Sequence, residues 1–229
     1  MKTISNSIIV AAVAASTLSL SASGAVIASW SMTTAVAATT GVSYTYGVAD
    51  SGDMTAGSSL SSSHAAAATV YSSPTGNGST YSLSSNNWAI GDYYQVSVST
   101  TGYQDVSISW DQTRSSTGPA SFELVASTDG GASWSTLIAN YSIVQAGLAG
   151  TGTTSWSALT NQPGFFTTTS AAVGASDRTS VLFRIRSLVT TSAAGTNRID
   201  NVIVSGSMVP APGAVALLGL AGLISRRRR

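Results

Sequence analysis

The chain has no cysteine, one histidine (His64) and one lysine (Lys2), and charged side chains make up only 8% of its 229 residues. The missing thiols exclude a disulfide framework and any thiolate metal centre. One imidazole cannot build a zinc site, and in a polar Ser/Ala stretch with no fixed partner His64 reads as a solvated side chain rather than a base. No Gly-rich phosphate loop follows a strand and opens a helix, and no serine stands in a G-x-S-x-G elbow, so neither nucleotide chemistry nor α/β-hydrolase chemistry has its usual parts. Positive charge is scarce where it would matter. Lys2 and Arg226 to Arg229 belong to the two ends, and the body between them keeps five arginines against nine carboxylates, a net charge of −4. Such a body has no electrostatic footprint for phosphates, which argues against nucleic acid as a partner.

Long apolar runs are missing too, and the two short ones lie at the ends. Residues 1–25 carry Lys2, an apolar stretch from Ile8 to Leu20 and small residues at Ser23 and Ala25, the order of a secretory signal peptide handled by the Sec machinery. A retained N-terminal membrane helix is the competing reading, and Ser16, Thr17 and Ser19 interrupt it. At the other end, Ala214 to Ile224 is uncharged, but about 11 residues rising 1.5 Å each reach only roughly 17 Å, short of a ~30 Å hydrocarbon core. Arg226 to Arg229 would stop translocation and hold that end inside, so the expected orientation is body out, arginines in, with transient anchoring by residues 209–229.

Residues 26–208 read as one domain, long enough to bury about 70% of its unfolded surface without staples. The expected fold is all-β: an antiparallel, jelly-roll-like β-sandwich, flanked by the signal peptide and a short C-terminal hydrophobic helix. Tyr94, Val96 and Val98 alternate with Gln95, Ser97 and Ser99. After Thr101-Gly102, Val106, Ile108 and Trp110 alternate with Ser107 and Ser109, which predicts a β-hairpin whose apolar face needs a second sheet. Further strands are expected at Val26 to Met32 and Ser121 to Ala126, around Ile138 to Val144, at Val181 to Val189 with Arg184 and Arg186 outward, and at Asn197 to Val204. The stretch from Asp50 to Ala68 shows no period and reads as a surface loop or a frayed helical turn.

The tail Val209-Pro210-Ala211-Pro212-Gly213, followed by the apolar run and Arg226-Arg227-Arg228-Arg229, resembles the PEP-CTERM sorting signal, with Ala211 where that family has glutamate. The resemblance implies an exosortase, a membrane transpeptidase-like protease, as a partner, and delivery to the cell surface or extracellular matrix. The alternative for the same residues is an ordinary anchor that is never cut. Ser127-Thr128-Asp129-Gly130-Gly131-Ala132-Ser133-Trp134 resembles the Asp-box of secreted β-proteins, a structural hairpin, and its single copy excludes a propeller. The loop Asp111 to Pro119, that hairpin and the closing Arg198-Ile199-Asp200-Asn201-Val202-Ile203-Val204 together look like jelly-roll domains of exported PEP-CTERM proteins and of carbohydrate-binding modules.

Three kinds of chemistry remain. Asp50, Asp53, Asp92 and Asp200 are oxygen ligands near expected strand ends, where Ca²⁺ would sit, though turn-capping accounts for them equally simply and is preferred. Asp111 and Glu123 flank one loop and form a candidate carboxylate pair for glycoside hydrolysis. Tyr93, Tyr94 and Tyr103 would stack on sugar rings if exposed, or fill the core if not. No catalytic, cofactor or metal residue is assigned, and the residues assigned to sorting are Val209 to Gly213 and Arg226 to Arg229. The expected protein is non-enzymatic, structural or adhesive, exported to the surface or matrix. A calcium-assisted carbohydrate-binding module for extracellular polysaccharide is the alternative, and a secreted hydrolase the second one.

Overall fold

The computed structural model describes residues 24–150, 153–162, 166–171 and 174–210. The expected signal peptide up to residue 23 and the sorting tail beyond Pro210 lie outside the described residues. In chain order the strands are β1 (Ala25–Trp30), β2 (Thr39–Thr40), β3 (Ser43–Gly47), β4 (Ser59–Ser63), β5 (Val70–Ser72), β6 (Leu83–Ser85) and β7 (Tyr93–Val98). They continue with β8 (Tyr103–Arg114), β9 (Ser121–Ser127), β10 (Ser135–Ser142), β11 (Phe166–Ala171), β12 (Val181–Ser187) and β13 (Asn197–Met208). The described residues contain no helix.

Among the described residues every pairing between these strands is antiparallel, and they form two sheets. The first runs β11-β8-β13-β6-β5-β2, with β1 joining the far part of β13; the second runs β10-β9-β12-β7-β4-β3. The 12-residue β13 is long enough to pair with β6 at Asn197 to Ile199 and with β1 at Val202 to Gly206, while β8 lines its other side. Strand order and packing thus give the antiparallel β-sandwich expected from the alternation of apolar and polar residues.

The core lies between the sheets because each strand turns its large apolar positions the same way. Trp30, Ile108, Trp110, Val202 and Val204 come from the first sheet and Leu60, Tyr94, Phe122, Leu124, Phe183 and Ile185 from the second, all at most 1% exposed. Trp88 lies edge-on to Tyr94 (5.0 Å between ring centroids) and Phe122 (5.4 Å). Buried polar atoms are paired across the layers: Gln112 Oε1 accepts from Trp110 Nε1 (3.0 Å) and the Tyr141 hydroxyl (2.9 Å), and Gln112 Nε2 donates to Asn197 Oδ1 (2.9 Å). The Tyr94 hydroxyl donates to the Asn197 carbonyl (2.8 Å), tying one sheet to the other.

Two expectations fail here. The segments at 93–98 and 103–110 do not form a hairpin: β7 pairs with β4 and β12, whereas β8 pairs with β11 and β13, so the chain arches from one sheet to the other. Their alternation is real, but the two apolar faces meet across the core instead of lying side by side. The connection is held by Thr100, whose N–H donates to the Arg178 carbonyl (2.8 Å) and whose hydroxyl donates to the Ala175 carbonyl, with Gly102 at φ 82° closing the turn. The second correction is β4, which crosses the stretch read as a loop. Its sequence Ser-Leu-Ser-Ser-Ser buries Leu60 and Ser62 alternately with half-buried serines, a strand disguised by small polar residues.

Candidate functional site: an arginine-lined groove on the first sheet

Of the sorting residues, the structure describes only Val209 and Pro210; the Val209 N–H donates to the Gly102 carbonyl (2.8 Å) at the end of β13. Ala211, Pro212, Gly213 and Arg226 to Arg229 lie outside the described residues.

The four aspartates singled out for calcium are not brought together. Asp50 accepts from the Ser31 N–H (2.7 Å) and hydroxyl (3.1 Å), and Asp53 accepts from the Tyr103 hydroxyl (2.5 Å). Asp92 accepts from the Ala65 N–H (2.8 Å) and the Ala89 N–H (2.7 Å), and Asp200 lies at the middle of the first sheet. Among the described residues no three His, Cys, Asp or Glu side chains converge as a metal group. Asp200 instead faces Asp111 across the β8–β13 ladder on the outer side of the sheet. Asp111 Oδ2 accepts from the side-chain amides of Asn77 (3.0 Å), Asn161 (3.2 Å) and Asn201 (2.8 Å). Asp200 accepts from the Asn77 N–H (2.6 Å), the Ser79 hydroxyl (2.6 Å) and the Asn201 N–H (2.8 Å). A bulge in β13 after Asp200 and a left-handed Asn201 (φ 48°), a conformation asparagine tolerates, turn that amide onto Asp111. Burial, helped by the Asp111 charge, raises the Asp200 carboxyl to about 6 despite its donors. The two carboxylates therefore clamp residues 76–79 and 161–162 onto the sheet.

Asp111 and Glu123 do not form a catalytic pair. Asp111 is on the first sheet, while Glu123 sits on the outer side of the second, where Oε1 accepts from Arg186 Nε (2.7 Å). Tyr94 and Tyr103 are buried, so neither offers a ring to a sugar; Tyr93 is half-buried, with the Arg184 guanidinium 3.9 Å over its ring. That guanidinium also lies 4.2 Å over the ring of Trp134, which the Asp129 hairpin positions. Within the hairpin the Ser133 N–H and hydroxyl donate to Asp129, Gly130 and Gly131 take positive φ, and Trp134 Nε1 donates to the Gly131 carbonyl (3.1 Å). The Asp-box reading as a structural hairpin matches this geometry.

His64 is not the solvated side chain expected. It is 5% exposed, with Nδ1 3.1 Å from Asp92 Oδ2 and Nε2 within 3.1 Å of Ser62 Oγ and 3.0 Å of Ser85 Oγ. The parts of a Ser-His-Asp relay are therefore present, yet both serines are 1% exposed and Trp88 packs 4.4 Å from the imidazole. No substrate reaches it. Burial lowers the His64 pKa in spite of Asp92, so the ring is neutral and serves as a fastener between the sheets. The sequence signal was faint: only the S-x-H spacing at the end of β4, which buries Ser62 in the strand and His64 just beyond it.

The open site lies on the outer face of the first sheet. Ser72, Ser84 and Arg198 stand in one cross-strand row on β5, β6 and β13, because Ser72 pairs with Ser84 and Ser84 with Arg198. Arg114, at the end of β8, faces the same space, and together with Pro74, Ser116, Gln145 and Thr196 they line an open groove of about 440 Å³. Its wall is rigid. The Ser115 N–H donates to the Thr196 carbonyl (3.0 Å), the Thr196 N–H donates to Ser115 Oγ (2.9 Å), and glycine is required at 118 and 195, where a Cβ would fall on the carbonyls of Thr196 and Thr117. Arg198 Nη1 donates to the Thr75 carbonyl (3.1 Å), and its guanidinium lies 4.8 Å over the buried Trp156 ring. Arg114 donates to the carbonyls of Ile143, Ser115 and Ser116 (3.1 to 3.2 Å). The groove was invisible in the sequence because Ser72, Ser84, Arg114 and Arg198 are joined only by strand register.

No family model matches the chain, and no curated protein sequence does. Among solved structures, it is similar to the K1 cleaved adhesin domain of Lys-gingipain from Porphyromonas gingivalis (13% identity, 78% of this chain and 97% of that one, TM-score 0.43). A xylan-binding CBM22 domain from Paenibacillus barcinonensis gives 13% identity over 77% of this chain and 100% of that one, with a TM-score of 0.41. The N-terminal cellulose-binding domain of a Cellulomonas fimi β-1,4-glucanase gives 16% identity over 57% and 80%, with a TM-score of 0.30. These remote likenesses say nothing about the groove.

Proposed function

We propose that the protein is a non-enzymatic, exported component of the cell surface or extracellular matrix that adheres by holding a polysaccharide in the Arg114–Arg198 groove. The observation that carries this reading is the groove itself: a preformed concave site of about 440 Å³, within the usual size of small-ligand pockets, lined by hydroxyls and guanidinium groups. Serine and threonine hydroxyls donate and accept, which matches the hydroxyl pattern of a sugar better than it matches an apolar ligand. The reactive-looking group, His64 with its serines and Asp92, is sealed in the core, and the Asp111–Glu123 pair is split between sheets, so binding is the chemistry the accessible surface supports.

Export is read from the ends. Residues 1–25 would direct Sec-dependent translocation, and the PEP-CTERM-like tail at 209–229 would hand the protein from the inner membrane to an exosortase. Replacing Pro210, Pro212 and Gly213 together should leave the protein in the inner membrane fraction, and unchanged release would remove the sorting reading.

A glycan array tests the binding reading. The wild-type chain should retain at least one polysaccharide, and Ser72→Trp, which fills the groove with a ring while leaving both arginines in place, should abolish retention. Silence of the wild type on every glycan would refute it. The calcium-assisted alternative now rests on Asp111 and Asp200, since Asp50, Asp53 and Asp92 are each engaged elsewhere. Their oxygens are directed at N–H and O–H donors, an arrangement that does not fit a calcium cage. An array repeated with EDTA decides it, with loss of binding favouring the ion.

A further inference from the structure

The groove's charge and its donors go further than a generic saccharide site. The structure assigns it a ligand carrying planar carboxylates: we infer that the polysaccharide held there is acidic, built with uronic-acid units whose carboxylates are gripped by Arg198 and Arg114. This rests on the groove being the polysaccharide site.

Neither arginine forms a salt bridge among the described residues, and the groove lining contains no Asp or Glu. Among the described residues the acid whose charge acts on Arg198 is Asp200, whose oxygens already accept from Asn77, Ser79 and Asn201. The donor inventory is similarly lopsided. Among the described residues Arg198 donates only through Nη1, to the Thr75 carbonyl, and Arg114 through Nε and Nη1, so Nε and Nη2 of Arg198 and Nη2 of Arg114 have no acceptor there. A partly desolvated guanidinium with unspent donors and no carboxylate in direct contact gains when an anion arrives, and its planar fork matches the two oxygens of a carboxylate. Arg198 is also held before any ligand binds, its guanidinium over Trp156 and tethered to Thr75, so less rotamer entropy remains to be lost. Non-specific attraction does not explain the site, because the body as a whole carries −4 and repels polyanions. The positive charge is local to the groove, and the half-buried Ser72 and Thr196 beside it bring hydroxyls to the sugar ring.

Titration calorimetry of the full chain in about 0.15 M salt, where a surface field is screened beyond ~8 Å, tests the assignment. Polygalacturonate should bind, and its methyl-esterified form should bind at least tenfold more weakly. Arg198→Gln and Arg114→Gln should each cost about ten- to a hundredfold, as expected for hydrogen bonds to a charged group. Arg198→Lys should fail to restore the lost affinity, because an ammonium lacks the fork. Thermal melts of each variant check that the fold is intact. Equal binding of acid and ester would overturn the inference, as would wild-type affinity in both Gln variants while Ser72→Trp abolishes binding. Dextran sulfate binding as tightly as polygalacturonate would overturn the carboxylate assignment in favour of sulfate. Failure of every polymer, with Ser72→Trp indistinguishable from wild type, would instead remove the groove as a polysaccharide site.

Discussion

Asp200 is the buried group whose removal should be read most clearly in a pH profile. It has no exposed surface, yet it is surrounded by donors that suit a carboxylate, and the Asp111 charge lies across the ladder. Burial outweighs the donors and lifts its pKa from 3.8 to about 6. The sign follows from linkage. Between those two values the native state holds a proton that the unfolded state has released, so this group's contribution is fully present below about pH 3.8 and is lost as pH rises through about 6. A shift of roughly two units at 1.36 kcal/mol each makes the loss of order 3 kcal/mol for this fully buried side chain. Asp200→Asn removes the titration. It also places an amide N–H where the Asn201 N–H now donates, so the variant should be less stable than wild type near pH 4 and approach or exceed it at pH 8. Urea denaturation of both proteins at pH 4, 5, 6, 7 and 8 gives the difference directly, and His64 cancels because both chains carry it. A difference that stays constant across that range would refute the reasoning.

His64 acts in the opposite direction: its native pKa is lowered by burial, so below about 6.5 the unfolded state takes up a proton the native state refuses, and His64→Gln should lessen the stability lost between pH 6.5 and 5. A urea series on that variant whose slope equals that of wild type would contradict this. Trp88→Ala, which empties the contact between His64, Tyr94 and Phe122 and frees the Ser85 carbonyl, should cost about 3–5 kcal/mol by the same measurement. Gly118→Ala or Gly195→Ala should cost roughly 1–3 kcal/mol and weaken glycan retention as well, because the added Cβ displaces the Thr196 carbonyl in the groove wall or the Thr117 carbonyl next to Ser116. Asp129→Ala should loosen the hairpin and with it the Trp134–Arg184 contact, seen as a shift in tryptophan fluorescence with glycan binding unchanged.

The sequence disclosed most where one residue's direction is set by its immediate neighbours. Val181, Phe183 and Ile185 point inward and Arg184 and Arg186 outward as their alternation requires, and Ser127 to Trp134 builds its hairpin from bonds within eight residues. It disclosed least where partners come from distant strands. Alternation at 94–98 and 106–110 states which side is apolar but not which strand lies alongside, and only the sheet assignment shows the two facing each other across the core. β4 was hidden because serine at every outward and one inward position removes the polarity contrast that marks a strand. Arg198 illustrates the same limit at the site: its outward direction follows from Ile199, but the groove it lines is made with residues 72, 84 and 114, set beside it by strand pairing alone.

Amide hydrogen exchange of the full chain with and without the polysaccharide selected on the array tests the central claim most directly, because it locates the ligand. Protection confined to residues 72–74, 114–116, 145–146 and 196–198, which surround Arg114 and Arg198, is the predicted result. Protection on the outer face of the second sheet, around Tyr93, Trp134 and Arg184, with the groove unchanged, would contradict it.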